Sequence, residues 1–127
     1  MGTWGAGNFD NDNAADHLIG ICMPLLEQIE EAMANRSQLE PDEPEADIVT
    51  ANIEIICCLA EYFGYFPGML PAEDTIEEWA REYLQIWDDN IDSLDPDPDY
   101  RIGRREVIAG TFDKLLQLAR RQNADRR

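Results

Sequence analysis

Apolar side chains recur at steps of three and four residues in four stretches of the chain, and this spacing predicts helices. The predicted helices cover residues 14–34, 46–63, 73–91 and 104–122. No stretch shows the sustained alternation of apolar and polar residues that a half-buried strand requires. A chain of 127 residues suits one domain. The sequence therefore predicts a single all-α domain over residues 1–127, a small bundle of four principal helices.

Some segments contain residues that interrupt helices. Residues 35–45 and 94–101 are rich in Pro and acidic residues, and we expect them to be non-helical, with 35–45 an exposed linker. Gly20 and Pro24 lie inside the first helix, where a Pro removes one backbone hydrogen bond and clashes with the preceding turn. We therefore expect a kink or a split of the first helix near Gly20/Pro24.

The second helix is the most apolar segment, and its wide apolar arc predicts a central helix with neighbours on two sides. Cys57 and Cys58 lie in this arc. We expect both to be small core residues and not metal ligands, because no C-x-x-C pair or nearby His accompanies them. The expected principal face comprises Ile48, Ala51, Ile55, Cys58, Leu59 and Tyr62, widened by Val49, Ile53, Ile56, Ala60 and Phe63.

Residues 1–10 are rich in Gly and aromatic residues and are expected to form an ordered loop. Gly5 and Gly7 allow positive φ, and the rings of Trp4 and Phe9 are expected to anchor the loop. If the Trp4 ring is fully buried, its replacement by Ala costs about 3–5 kcal/mol of stability.

Acidic residues dominate the charge and are unevenly distributed. The chain has 27 Asp and Glu against 10 Lys and Arg, for a net charge of −17. Residues 1–100 hold 24 acids and two bases, which is −22, and residues 101–127 hold three acids and eight bases, which is +5. The acidic portion repels phosphate groups over about 8–10 Å, so we expect neither nucleic acid nor a membrane surface as partner. An acidic field attracts basic proteins instead.

The sequence also limits the compartment. Pro, Gly or a charged residue interrupts each apolar run, so no run has the length of a membrane span. The first residues lack the basic and apolar regions of a secretion signal. An odd number of cysteines, three, favours reduced thiols over a disulfide framework. We expect a cytoplasmic protein.

One loop between the third and fourth predicted helices resembles a metal site. Asp95, Asp97, Asp99 and Glu106 occupy positions one, three, five and twelve of an EF-hand loop. Tyr100 stands where the sharp turn of that loop needs Gly, and two arginines follow nearby. Because an acidic turn stiffened by Pro accounts for the same residues, we assign no metal ligands. Calcium binding by this loop is kept as an alternative.

No group of residues typical of an enzyme is visible. The single His, His17, lies on a predicted helix without a Ser or Cys nucleophile in a recognisable context. The pair Gly5 and Gly7 does not follow a strand, as a phosphate-binding loop would. We expect no enzymatic activity and no cofactor.

A short apolar turn follows the second helix and has two interpretations. It either closes one end of the bundle or forms an aromatic binding patch surrounded by acids. The residues concerned are Tyr62, Phe63, Tyr65, Phe66, Met69 and Leu70.

The most specific motif lies at the start of the chain, where the sequence matches W-G-x-G-x-F-x-N-D-x-A-x-D. The selected motif residues are Trp4, Gly5, Gly7, Phe9, Asn11, Asp12 and Asp16. This motif resembles the N terminus of an uncharacterised bacterial family, domain of unknown function 4259. The resemblance implies a small bacterial, cytoplasmic, helical protein, and it implies no activity or catalytic residue. In physical terms the Asn and Asp residues supply the N-cap of the first helix.

These observations favour a non-enzymatic protein-interaction module whose acidic surface binds a basic protein. An immunity or antitoxin-like inhibitor of a basic toxin, such as a nuclease, is the most concrete form of this hypothesis. We expect the contacts to involve exposed acids in residues 40–47 and 88–99. The alternatives are an acidic structural or housekeeping domain, as a monomer or a homodimer, whose charge serves solubility, and a metal-binding protein.

Overall fold

The computed structural model describes residues 2–125, which form four α-helices and two short 3-10 turns. The helices are α1 (Asp12–Met33), α2 (Pro44–Phe63), α3 (Glu73–Asn90) and α4 (Pro98–Asp125), with 3-10 turns at Arg36–Leu39 and Ile91–Leu94. Residues 2–125 contain no strand, although an isolated antiparallel bridge joins Thr3 to Asn11. The prediction of an all-α fold with four principal helices is confirmed.

The helices share one hydrophobic core. α2 packs against α1 on one side and against α4 on the other, and α4 also packs against α3. The central position predicted for α2 is therefore correct. Its buried apolar residues, Ala46, Val49, Ile53, Ile56 and Ala60, supply the contacts because they lie on one side of the helix.

The principal face predicted for α2 is wrong. Ile48, Ile55 and Tyr62 are 42%, 44% and 82% exposed, and Ala51 is exposed as well. The set expected only to widen that face is the buried one. Both sets recur with helical spacing, so periodicity alone cannot tell which of them meets the neighbouring helices.

The two adjacent cysteines of α2 do not behave as a pair of core residues. Cys57 is half-buried and Cys58 is exposed, whereas Cys22 on α1 is fully buried. The core assignment is thus wrong for Cys58. Consecutive helical residues point about 100° apart, so both thiols could not face the same neighbour.

α1 is continuous through Gly20 and Pro24, so the predicted split does not occur. A Pro inside a helix crowds the carbonyl of the residue four positions earlier, which for Pro24 is Gly20. Gly has no side chain to crowd the local adjustment, and both residues are exposed, so water can hydrate the unpaired carbonyl.

Two helices begin earlier than predicted, and each begins at a Pro. α2 starts at Pro44 and α4 starts at Pro98, inside segments that we expected to be non-helical. Pro suits the first helical turn because its missing N–H would have no partner there. The linker before α2 is also not wholly exposed, since Leu39 in its 3-10 turn is fully buried.

The N-terminal loop is ordered by hydrogen bonds and not by a buried Trp. The side chain of Asp10 accepts a bond from the Gly7 N–H (3.0 Å), and its backbone carbonyl accepts one from the Trp4 N–H (2.9 Å). A Cβ placed at Gly5 or Gly7 would lie 2.6 Å from the Asp10 carboxylate. The glycines thus serve close approach; among residues 2–125, positive φ occurs in Gly only at Gly64.

The aromatic residues of this loop correct two expectations. Trp4 is 61% exposed, so the condition for a large stability loss on its replacement is not met. Phe9 is also exposed, yet its ring packs edge-on against Phe63 of α2, with centroids 5.0 Å apart. Only Phe9 therefore ties the loop to the bundle through its ring.

Candidate functional site

The remaining motif residues begin α1. Asn11 is its N-cap: the side-chain oxygen accepts a bond from the Ala14 N–H at 2.8 Å. The Asp12 N–H donates to the Gly2 carbonyl at 2.6 Å, and Asp16 is exposed on the first turns. The predicted capping role of the Asn/Asp cluster is confirmed, and the motif contributes to structure here.

The two acidic segments that we expected to make contacts meet at one end of the bundle. Residues 41, 42, 46 and 47 line a cleft of about 310 Å³ together with residues 91, 94 and 96, and Arg104 lines it as well. The carboxylates among the lining residues are those of Asp42 and Asp47. We call this region, residues 40–47 and 88–99, the acidic end. It holds eleven carboxylates, five in the first segment and six in the second. The fold thus concentrates charge that the sequence places more than forty residues apart.

The cleft is built on a rigid, hydrogen-bonded wall. The buried Tyr83 hydroxyl donates to the Ala46 carbonyl at 2.7 Å, which joins α3 to the start of α2. Burial raises the pKa of Tyr83, so its hydroxyl stays protonated and remains a donor at neutral pH. The Thr50 hydroxyl donates to the Asp47 carbonyl and accepts a bond from Arg104, each at 3.2 Å.

Two Asp residues at the rim of the cleft have positive φ. The φ of Asp42 is 95° and that of Asp95 is 51°. Asp tolerates this region better than most residues because its short polar side chain can bond locally, although the conformation still carries some cost. Asp42 and Asp95 are thus held in loops, whereas other acids of the acidic end, such as Asp47 and Asp88, lie on helices.

Most carboxylates of the acidic end lack a cationic partner. Among residues 2–125, only Asp88 and Asp92 of this region form ion pairs, with Arg105 and Arg101 respectively. The Arg105 pair is bidentate, with N–O distances of 3.0 and 2.9 Å, and it raises the pKa of Arg105. The other carboxylates are therefore available to a cation from outside the chain.

Three of the six bases of α4 within residues 2–125, Arg101, Arg105 and Arg120, pair with acids of α3 or of the 3-10 turn that follows it. Arg101 also lies over the Trp87 ring, 5.7 Å from its centroid. Folding therefore brings some of the C-terminal bases beside acids of the first hundred residues, so the two charges are less separated in the structure than along the chain. The ion pairs between α4 and the α3 region are Arg101–Asp92, Arg105–Asp88, Arg120–Glu73 and Arg120–Glu77.

The EF-hand-like residues do not form an EF-hand loop. α4 begins at Pro98, so Asp99 and Glu106 are on a helix while Asp95 and Asp97 precede it. Within the described residues, no group of three or more His, Cys, Asp or Glu side chains is arranged to hold a metal ion. Asp97 instead accepts a bond from the Asp99 N–H at 2.9 Å, at the start of α4.

The apolar turn after α2 partly closes the end of the bundle and partly forms an exposed aromatic patch, so each of the two interpretations is correct in part. Phe66 is fully buried and its N–H donates to the Gln122 side chain, which closes the end of the bundle. Tyr62, Tyr65 and Met69 remain exposed. A surface of apolar residues therefore persists beside the closing contact.

The overlooked surface is the outer side of α2. The apolar, helical spacing of its exposed row predicts core residues, although the row is exposed: Ile48, Ala51, Ile55, Cys58 and Tyr62. The neighbouring acids were the signal that could have identified it, since Asp47, Glu54 and Glu61 each precede a member of the row by one residue.

A family model described as a domain of unknown function, DUF4259, matches residues 2–122. The chain belongs to that family. The match covers the N-terminal loop and all four helices except the last residues of α4, so it extends well beyond the opening motif. No curated protein and no solved structure matches the chain.

The description of that family names no activity. Within residues 2–125, no helix combines the length and apolar content needed to cross a membrane.

Proposed function

We propose that this protein is a non-enzymatic interaction module whose acidic end binds a basic protein. The observation that carries the proposal is the meeting of residues 40–47 and 88–99 around one cleft. The two segments carry eleven carboxylates, and within residues 2–125 only Asp88 and Asp92 among them form ion pairs. Such a concentration of like charge favours a cationic ligand and accelerates its association.

The same charge distribution argues against phosphate-bearing partners. Three of the six bases of α4 within residues 2–125 are paired with carboxylates, which leaves few cations to set against the acidic field when a phosphate backbone approaches. Anionic lipid surfaces meet the same field. A basic protein surface remains the favoured partner class.

An immunity or antitoxin-like inhibitor is the most concrete form of this proposal. A nuclease needs a cationic cleft for its substrate, and an acidic protein of this size can cover such a cleft. The Tyr83–Ala46 hydrogen bond supports this form, because a backbone held in place at the start of α2 loses less entropy on binding. The protein would act at a cytoplasmic basic target.

Affinity capture with a salt gradient tests the proposal. The immobilised protein is exposed to native lysate at about 20 mM NaCl and then eluted in NaCl steps, and the eluted proteins are identified by mass spectrometry. We expect a discrete set of basic proteins to elute below about 0.5 M NaCl, because screening lengths then fall to a few ångströms. Retention that is indifferent to salt would contradict the mechanism.

A matched pair of variants locates the binding surface. One variant neutralises three exposed carboxylates of the acidic end, and the other neutralises three exposed carboxylates of α1. Their net charges are equal, so only position differs. The substitutions are Asp42→Asn, Asp89→Asn and Asp95→Asn against Glu27→Gln, Glu30→Gln and Glu31→Gln. We expect the first variant to lose the captured proteins and the second to keep them; equal retention would favour a general solubilising role for the charge.

A further inference from the structure

An apolar row runs along the outer face of α2 and is left uncovered by residues 2–125. We call it the α2 stripe, and it comprises Ile48, Ala51, Ile55, Cys58 and Tyr62. Successive members are separated by three, four, three and four residues. At 1.5 Å per residue the stripe is about 21 Å long, which is the length of four helical turns.

The stripe faces away from the bundle because the other side of α2 is occupied. Val49, Ile53 and Ile56 are fully buried between α1 and α4. Asn52 fixes the rotation of the helix, since its side chain donates to the Leu25 carbonyl at 3.2 Å and to the Gln28 side chain at 2.8 Å. The stripe therefore cannot turn inward without breaking these contacts.

A row of acids borders the stripe on one side. Asp47, Glu54 and Glu61 recur every seven residues, and each lies one position before Ile48, Ile55 or Tyr62. All three are exposed, and within the described part of the chain none of them forms an ion pair. In heptad terms, the stripe occupies positions a and d and the acids occupy position g. Position g is where coiled-coil helices place the charges that choose a partner.

Aromatic rings extend the apolar surface at one end of the stripe. The Tyr62 ring packs edge-on against Phe63 with centroids 4.9 Å apart, and Phe63 in turn meets the exposed Phe9. Exposed aromatic residues beside an apolar row are typical anchor points of a protein interface.

We propose that the α2 stripe docks one amphipathic helix of a basic protein. The helix has apolar residues at three- and four-residue steps and Lys or Arg at the positions that face Asp47, Glu54 and Glu61. The inference rests on the proposed function in one respect, the basic character of the partner. It adds the shape of the binding segment, which the acidic end alone does not specify.

The charge of the molecule selects this occupant over a second copy of the chain. Two copies would bring net charges of −17 together, and an antiparallel pairing would place the acid row against itself. Like charges opposed across a helix pair are destabilising. A basic helix gains attraction at the same positions.

A designed peptide tests the stripe without knowledge of the natural partner. The probe is a 21-residue peptide with Leu at the a and d positions and Lys at the e and g positions, and a scrambled peptide of equal composition is the reference. Binding to the full-length protein is measured by titration calorimetry at about 50 mM NaCl. We expect the patterned peptide to bind at least about tenfold more tightly than the scrambled one, because only the former aligns its apolar row with the stripe.

Two serine variants of exposed Ile residues provide the structural control. Ile55→Ser removes the centre of the stripe, and Ile102→Ser removes an Ile of α4 that is 59% exposed. We expect Ile55→Ser to weaken peptide binding about tenfold or more and Ile102→Ser to leave it within about twofold. Equal affinities of the two variants, or equal binding of the scrambled peptide, would overturn the proposal.

The test separates this inference from the proposed function. Neutralising Asp42, Asp89 and Asp95 removes the lysate proteins if the acidic end acts as proposed, while dependence of peptide binding on Ile55 reports on the stripe alone. Sedimentation velocity on the free protein adds a further check. A homodimer that Ile55→Ser dissociates would show that the stripe binds a second copy, and it would overturn the inference.

Discussion

Single polar side chains fix how the helices are turned. Asn52 and Tyr83 are both buried, and each donates a hydrogen bond to a backbone carbonyl of another helix. A buried donor that loses its partner lowers the free energy of unfolding by about 1–3 kcal/mol. Any other rotation of α2 would break the hydrogen bonds of both Asn52 and Tyr83. Asn52 lies within a long apolar run, and its partner is 27 residues away in sequence. Its role therefore depends on the assembled bundle.

Thiol reactivity should distinguish the neighbouring cysteines of α2. Burial is the main cause that raises the pKa of Cys57 to about 11, and Lys114 offsets part of the effect. At pH 8 only about one Cys57 in a thousand is a thiolate, the reactive form. We expect an aromatic disulfide reagent at pH 8 to modify exposed Cys58 at least about tenfold faster than Cys57. Stopped-flow absorbance measures both phases.

Serine variants assign the phases. Cys58→Ser should remove the fast phase and Cys57→Ser should preserve it, and the reverse result would contradict the burial described for α2. The raised pKa of Cys57 also makes the stability of the fold depend on pH. Between pH 9, the ordinary value, and about 11, the unfolded chain releases the Cys57 proton first, so this contribution is complete below pH 9 and is lost as pH rises to 11.

Helix ends show how an element depends on a single residue. Gly64 ends α2 with φ of 82°, a left-handed conformation that costs a residue with a Cβ about 1 kcal/mol or more. Gly110, by contrast, lies inside α4, exposed and with no atom within 4 Å of a Cβ built on it. Gly thus stabilises the fold at position 64 and destabilises it at position 110, relative to Ala.

Replacing each of these glycines by Ala should change stability in opposite directions. We expect Gly64→Ala to lower the free energy of unfolding by about 1 kcal/mol because of the positive φ. Gly110→Ala should raise it by about 0.5–1 kcal/mol, because Ala has the higher helix propensity. Urea unfolding followed by circular dichroism measures both. A gain in stability for Gly64→Ala would contradict the left-handed end of α2.

At the scale of the whole molecule, the six bases of α4 within residues 2–125 compensate only part of the acidic charge. Arg101, Arg105 and Arg120 pair with acids of the α3 region, yet the chain retains a net charge of −17. Exposed ion pairs contribute about 0–1 kcal/mol each, so they do not outweigh repulsion among the remaining carboxylates. Repulsion among the carboxylates is therefore the dominant electrostatic effect, and it lowers the stability of the fold.

Salt should stabilise this protein for that reason. Raising NaCl from about 20 to 300 mM is expected to raise the thermal midpoint by several degrees, because screening weakens the repulsion. Scanning calorimetry measures the midpoint. The variant with three neutral residues on α1 has a net charge of −14, from −17 + 3, and should respond less steeply. A midpoint that falls with salt would show that the ion pairs dominate instead.

The sequence by itself determined the number and approximate positions of the helices, since a stripe of apolar residues every three or four positions has only one regular backbone that buries it. It also determined that the Asn/Asp cluster caps the first helix, because an N-cap depends on residues within a few positions. The helix starts at Pro44 and Pro98 were misjudged because Pro disfavours a helix interior and favours its first turn, and composition alone does not separate these cases.

Only the tertiary structure decided which apolar face of α2 is inside. The two faces have similar spacing and residue types, and the choice depends on contacts with α1 and α4 from distant parts of the chain. Tertiary packing also forms the acidic end. The sequence shows two acidic segments, but their meeting around one cleft follows from the packing of α4 against both α2 and α3, a relation that no local pattern contains.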